Sequence, residues 1–350
     1  MKLLTIAIPA YNVENYLPVC INSLLIPELL DDIEILIVND GSQDGTEAVA
    51  EKYREEYPNS IRIISKNNGG WGSAVNTSIK EANGIYYKNL DSDDWFLKDG
   101  LLELIDSIKN SKADIIVSPT VKYYEGNNKY QRHNFPSNCI FCKTLPIEEA
   151  CKNLNFFFTM HCLCIKTEIL KDNNLFIDEC FYADNEMCFY PVIYADSIYV
   201  QKEPVYCYRI GRAGQSMSIK SMDKNISHIE RVAKRICGDF IAFEKDGSLC
   251  ASKIQYLRRI AVNVASSYIV QVLAISDKSK QKEWIANLSS FRKDYINNSE
   301  LLKKPDGYSF FASKMLAADF MNYKIIEPFW RFSVNNSYLT DRLWNLLMKE

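Results

Sequence analysis

The sequence predicts an α/β protein, a mostly parallel sheet with helices on both faces, followed by a C-terminal helical region. Two observations predict it. Through the first 220 residues, short apolar runs alternate with amphipathic stretches of helical spacing, and that rhythm builds a parallel sheet covered on both sides. From about residue 221 the apolar positions recur at helical spacing alone, as in packed amphipathic helices. Two domains are therefore expected, 1–220 and 221–350.

The first strand is 3–8, closed by Pro9-Ala10-Tyr11-Asn12. A second, 33–38, runs into Asn39-Asp40-Gly41-Ser42-Gln43-Asp44-Gly45-Thr46 and then a helix over 44–57, with Ala48, Val49 and Tyr53 on one face. The third, 61–65, is followed by Asn67-Asn68-Gly69-Gly70-Trp71-Gly72-Ser73-Ala74 and a helix over 72–82. The fourth, 86–90, ends in Asp91-Ser92-Asp93-Asp94-Trp95 before a helix over 99–109, and 113–117 continues the series. A later strand, 197–201, precedes Tyr206-Cys207-Tyr208-Arg209. Ile226, Ile229, Val232, Ala233, Ile236 and Phe240 mark one long helix; Ile254, Leu257, Ala261, Val264 and Tyr268 mark another.

Composition narrows the function. The chain is 47% hydrophobic and 24% charged, ordinary for a globular protein with a full core. The apolar run at the N-terminus stops at Pro9, and the run 260–275 is broken by Asn263, Ser266, Ser267 and Gln271; both are too short or too polar for export or spanning, so a cytoplasmic location is expected. The 11 cysteines then read as reduced, packed thiols, and Cys139-x-x-Cys142 lacks a second pair at zinc-site spacing. Residues 1–220 carry 21 Lys+Arg against 30 Asp+Glu, a net of -9, whereas 221–350 carry 20 against 14, a net of +6. No basic stripe with interleaved aromatics accompanies the acidic part, which excludes a nucleic-acid binder. The basic part suits an anionic acceptor, peripheral contact with a membrane surface, or a plain packing or homo-oligomer interface.

In an open parallel sheet, ligands bind beyond the carboxyl ends of the strands. Here four consecutive strands discharge polar, glycine-rich or acidic segments onto that edge. Asp91 and Asp93 stand at i and i+2, which in extended chain face the same side. Two such carboxylates can share a hard divalent cation, Mn2+ or Mg2+, whose shell is completed by phosphate oxygens and water. Asp40 reads either as a turn residue before Gly41 or as an acceptor for a base or ribose. Asp44-Gly45-Thr46 sets up the following helix. Gly70-x-Gly72 lacks a third glycine and follows the third strand, so it is no dinucleotide fingerprint; it lets backbone approach a phosphate near a helix N-terminus. His161, within an apolar run, reads as a core histidine.

Together these segments resemble the family-2 glycosyltransferases, inverting enzymes of the nucleotide-diphospho-sugar transferase (GT-A) fold, a Rossmann-like sheet. The resemblance covers about residues 3–215. It rests on Ile8-Pro9-Ala10-Tyr11-Asn12, on Val38-Asn39-Asp40-Gly41-Ser42 with Asp44-Gly45-Thr46, on Asn68-Gly69-Gly70 with Ala74 and Asn76, and on Leu90-Asp91-Ser92-Asp93-Asp94-Trp95. It implies that Pro9, Ala10 and Tyr11 line a base pocket, with Asn68 and Gly70 alongside. It implies also that Asp40 holds the base, usually uracil, that Asp91 contacts the donor ribose or a metal-bound water, and that Asp93 binds the metal. The family's later acidic pair, whose Asp is the general base, falls on Tyr182-Ala183-Asp184-Asn185-Glu186, where Ala183 replaces the usual acid. Asp184 is the expected base, with Glu186 and Glu179 in reserve. Arg209 and Arg212 are candidates for the diphosphate or acceptor, since guanidinium matches phosphate oxygens in bidentate geometry. The implied activity is transfer of a sugar from a nucleoside-diphosphate donor to a glycan or lipid-linked acceptor in cell-surface polysaccharide assembly.

Two other readings account for less. A sugar nucleotidyltransferase is expected to carry a Gly-rich, basic loop after the first strand, where this chain has Ala10-Tyr11-Asn12-Val13. A non-catalytic glycan- or partner-binding relative has no need of the intact Asp91-x-Asp93.

Overall fold

A computed structural model describes residues 2–136, 139–154, 156–211, 223–275 and 277–303. Arg212 lies outside the described residues. The chain divides into two compact units, Met1–Ile210 and Gly211–Glu350.

The first unit is α/β, as its sequence predicts. Strands β1 (Leu4–Ala10), β2 (Ile33–Asn39), β3 (Ile61–Ser65) and β4 (Tyr86–Asn89) are mutually parallel, in the spatial order β3-β2-β1-β4. Every residue of β1 and β2 is buried. Both faces of a parallel sheet are covered, so its strands read as unbroken apolar runs. Ile6, Ile8, Ile35 and Ile37 pack with helices α1 (Leu17–Asn22) and α4 (Lys98–Ser111), while Leu36 and Val38 meet Ala74 of α3 (Trp71–Glu81) on the other face. Helix α2 (Thr46–Glu56) follows β2, and Asp44 accepts from the Thr46 N–H at 3.0 Å and its hydroxyl at 2.6 Å, starting that helix as expected.

Two buried polar residues on adjacent strands, Thr5 of β1 and Glu34 of β2, answer each other. Thr5 donates to Glu34 at 2.6 Å, and Glu34 also accepts from the Asn83 N–H, the Asn83 amide and Arg62. Burial opposes ionisation of Glu34, yet those hydrogen bonds outweigh it and hold the carboxyl below its usual range.

Beyond β4 the order departs from a simple parallel series. The strand expected at 113–117 is β6 (Ile115–Val117), but it does not adjoin β4. Between them runs β10 (Leu163–Lys166), antiparallel to both, with Ile165 opposite Tyr87 and Ile115. An antiparallel strand starts where its parallel neighbours end, so the residues just before Leu163 are delivered to the carboxyl edge of β4. The expected strand at 197–201 is β11 (Ser197–Val200), parallel to β6, with β9 (Thr144–Pro146) beyond it. A second sheet has the order β5-β12-β7-β8 and comprises β5 (Trp95–Phe96), β7 (Thr120–Tyr124), β8 (Lys129–His133) and β12 (Tyr206–Ile210). Helices α5 (Ile147–Asn153), α6 (Thr167–Asp172) and α7 (Asp184–Tyr194) complete the unit.

The second unit is helical where described: α8 (Ile226–Asp246), α9 (Ala251–Ala274) and α10 (Lys278–Asp294). The expected stripe Ile226, Ile229, Val232, Ala233, Ile236 and Phe240 is buried, and α8 packs along α9. No helix among the described residues is long and apolar enough to cross a membrane.

Candidate active site

Three loops at the carboxyl edge are tied together before any ligand is considered. The β1 loop meets the β2 loop through Val13 N–H to Thr46 (2.8 Å), Gln43 N–H to Asn12 (2.8 Å) and Gly45 N–H to Glu14 (2.6 Å). Pro9 and Ala10 are buried at the end of β1, whereas Tyr11 is 49% exposed. The β2 loop meets the glycine-rich loop through Asp40. Its carboxylate, 2% exposed as a residue, accepts from Lys66 Nζ (2.7 Å), Gly69 N–H (3.0 Å), Gly70 N–H (2.7 Å) and Asn68 Nδ2 (3.2 Å). Four donors occupy two oxygens, so a base reaching Asp40 must displace one of them. Gly70 takes φ +88° to turn both amides onto that carboxylate, a conformation that favours glycine. Lys66 was not singled out by the sequence.

The acidic segment is not extended. Asp94 N–H donates to the Asp91 carbonyl at 2.9 Å, closing a turn over 91–94. The alternation that would aim Asp91 and Asp93 to one side therefore does not apply, and a turn brings residue i+3 back beside residue i. Ligand atoms of Asp91, Asp94 and His161 lie within 4.8 Å of one another; Asp93 is not in that group. His161 sits in the short turn Met160–Cys162 ahead of β10, its Nε2 3.9 Å from Asp91 Oδ2. It is half-buried rather than a core histidine, and that strand order places it in the site. Burial, then the charges of Lys88 and Lys122, push its pKa down to about 4, so the ring is neutral and its lone pair can serve a metal. Asp91 Oδ1 accepts from Trp71 Nε1 (2.9 Å) and Asn89 Nδ2 (3.1 Å). Asp94, 1% exposed, accepts from the Tyr206 hydroxyl and the Arg209 N–H, each at 2.7 Å. Burial and the charges of Asp93 and Asp91 raise its pKa far above the carboxylate range. One oxygen of Asp91 and the neutral imidazole thus fit a divalent cation, whereas Asp94 is the structural member of the trio.

Lys88 is a second cation that sequence patterning missed. It lies 1% exposed in β4, and its Nζ donates to the carbonyls of His161 (2.8 Å) and Leu163 (3.1 Å). Desolvation lowers its pKa to about 8. A lysine inside the apolar run Tyr86–Asn89 was the available signal.

Arg209, a candidate for the diphosphate or the acceptor, is engaged within the fold. Its Nε donates to the Asp93 carbonyl at 2.9 Å, Nη1 pairs with Glu125 at 3.1 Å, and its guanidinium lies 5.0–5.8 Å from the rings of Trp95, Tyr16 and Tyr123. It braces the acidic turn from the second sheet.

Asp184 opens α7, half-buried. Burial and the charge of Asp91 raise its pKa to about 6. Glu186 is fully buried and accepts the Asp178 N–H at 2.8 Å; it anchors the loop that leads to Asp184. That loop is also fixed to α3, because Asn76 pairs with the backbone of Ile177 and a Cβ on Gly72 would overlap the Asp178 carbonyl oxygen. The structure thus gathers Asp91, Asp94, His161 and the electrostatic reach of Asp184 at one edge of the sheet, beside the Asp40 loop.

Residues 5–172 match the family described as Glycosyl transferase family 2. The uncharacterized glycosyltransferase EpsJ of Bacillus subtilis (strain 168) is 30% identical over 213 residues, 60% of this chain and 61% of EpsJ. The minor teichoic acid biosynthesis protein GgaB of the same organism is 31% identical over 229 residues, 63% of this chain and 24% of GgaB. The chain thus spans less than two thirds of either relative's own length. Among solved structures, S. aureus TarS 1–349 in complex with UDP-GlcNAc aligns with a TM-score of 0.64 at 20% identity, over 95% of this chain and 92% of that one, a likeness of fold. On a sheet whose carboxyl edge carries the motifs, residues 5–172 of this chain thus match glycosyl transferase family 2, and the chain shares the fold of the solved glycosyltransferase TarS.

Proposed function

We propose that this protein is an inverting glycosyltransferase that passes a sugar from a nucleoside-diphosphate donor, a UDP-sugar by preference, to an acceptor hydroxyl. The observation that carries this reading is the convergence of the Asp40 loop, the Asp91 turn with His161, and the first turn of α7 at one sheet edge. UDP as the nucleotide is favoured by the solved complexes of TarS, which hold UDP-GlcNAc and UDP. Cell-surface polysaccharide as the product class is favoured by relatives named for teichoic acid and chondroitin synthesis. The net charge of +6 over residues 221–350 suits an anionic glycan or a phospholipid surface.

In the proposed reaction, Asp184 accepts the proton of the acceptor hydroxyl as its oxygen attacks the anomeric carbon. The bond from that carbon to the diphosphate breaks, the electron pair leaves on the phosphate oxygen, and configuration inverts. A positioned carboxylate base contributes roughly 10²–10⁴-fold. A divalent cation held by Asp91 and His161 would supply positive charge to the leaving diphosphate. Asp93, half-buried in the same turn, is kept as a further ligand candidate. The backbone amides of Gly69 and Gly70, beside the start of α3, favour phosphate once the Asp40 carboxylate yields them.

Calorimetric titration of UDP in Mn2+, then in excess chelator, tests the reading. Metal-dependent binding establishes the donor site and opens a screen of UDP-sugars, with NMR of the anomeric proton reporting inversion. Absence of binding by UDP, GDP and CDP in both conditions rejects it.

A further inference from the structure

We propose that Trp71 is the positioning residue of the cation site: its indole N–H fixes one oxygen of Asp91 so that the other faces His161. The inference rests on the metal-dependent reading above. Its basis is geometric. Asp91 Oδ1 takes two donors, Trp71 Nε1 at 2.9 Å and Asn89 Nδ2 at 3.1 Å, while Oδ2 stands 3.9 Å from His161 Nε2. A carboxylate whose one oxygen holds two fixed N–H groups has lost the rotation that would exchange its oxygens. The second oxygen is then presented to the imidazole at a separation that a bridging cation would span. Partners of this kind set the orientation and basicity of a ligand, and removing them commonly costs ~10–100-fold in metal affinity.

The placement of Trp71 gives the contact a second meaning. It is the first residue of α3, directly after Gly70, whose N–H lies 2.7 Å from Asp40 Oδ2. One short loop therefore holds the nucleotide-side carboxylate by its backbone and the cation-side carboxylate by its indole. An indole N–H in a half-buried setting needs an acceptor, and phenylalanine keeps the ring's bulk while offering none.

Mn2+ titration by electron paramagnetic resonance, without nucleotide, compares wild type with Trp71→Phe. The expected result is a 10–100-fold rise in the Mn2+ dissociation constant, UDP affinity in chelator unchanged within about twofold, and loss of the metal-induced change in tryptophan emission. Equal Mn2+ affinity in the two proteins overturns the inference and leaves the metal reading standing. Failure of wild type to bind Mn2+ overturns both. A parallel loss of UDP affinity in chelator also overturns it, since the loop as a whole would then have collapsed. If Trp71→Phe does not fold, benzothienylalanine at position 71, isosteric with tryptophan but without the N–H, decides the same question.

Discussion

The side chain of Asn76 pairs with both backbone groups of Ile177, Nδ2 donating to the carbonyl at 2.8 Å and Oδ1 accepting the N–H at 2.9 Å, across 101 positions of sequence. This contact fastens the helix after the glycine-rich loop to the segment that leads into Asp184. Asn76→Ala leaves a buried N–H and a buried carbonyl unsatisfied, at a cost of about 2–4 kcal/mol. Thermal denaturation should record a fall of roughly 5–10 °C, and turnover should fall further than UDP affinity because Asp184 loses its support.

Gly72 lies inside α3, where alanine would ordinarily gain about 1 kcal/mol of helix propensity. A methyl group there meets the carbonyl oxygen of Asp178, a backbone atom that cannot swing away. Gly72→Ala should therefore destabilise by about 1–3 kcal/mol. Urea denaturation checks the sign: a stabilised variant would mean that α3 and the Asp178 segment are not in contact.

Asp184 gives the pH dependence. The proposed base role needs the ionised carboxylate, so kcat should rise through about pH 6 and level off above it. Asp184→Asn should flatten that limb and lower kcat by roughly 10²–10⁴-fold. Its effect on stability runs the other way. A folded-state pKa above the unfolded value contributes stability below the unfolded pKa, and this is lost as pH rises through about 6. The asparagine variant should melt higher than wild type at pH 8 and show no advantage at pH 4, as parallel melts at the two values will register.

Glu34 carries the opposite sign. Its pKa is held down in the folded state despite burial, so its contribution is present above the ordinary carboxylate pKa and disappears as pH falls through the folded value. Glu34→Gln should cost about 3 kcal/mol at pH 7, with the gap to wild type closing in acid. A gap independent of pH would point to packing rather than charge.

His161 and Asp93 are rival candidates to join Asp91 around the proposed cation. Because His161 is inside the cluster and Asp93 is outside it, His161→Ala should weaken Mn2+ binding by more than 10-fold, and Asp93→Asn should weaken it less. The reverse ranking would restore Asp93 as the primary ligand.

The parts legible in sequence were those whose physics is local. β1 and β2 are buried on both faces and announce themselves as apolar runs, and Asp44 starts its helix with a residue two positions away. Asp91 was legible as an acid beyond a strand, but its geometry was misread, since the turn closed by Asp94 cancels the alternation of extended chain. His161, Lys88 and Trp71 were not legible as site residues, because each acquires its role from a partner brought by topology. The four-residue β10, wedged antiparallel between β4 and β6, carries His161 to the edge. Nor does a sequence show that Arg209, a candidate for the diphosphate or the acceptor, donates to the Asp93 carbonyl and pairs with Glu125.

The acidic turn is held by residues that the ribosome adds more than 110 positions later: Tyr206 on Asp94 across 112 positions and Arg209 on Asp93 across 116. A nascent chain that has emerged through β4 therefore carries the acids without the clamp that shapes them. The same holds for a fragment cut at the family boundary of residue 172, which would retain the Asp40, glycine-rich and Asp91 segments yet lack Asp184, the clamp and β12, one of the second sheet's two inner strands. The smallest unit able to assemble this site is thus longer than the segment that identifies its family, and it runs at least to Ile210.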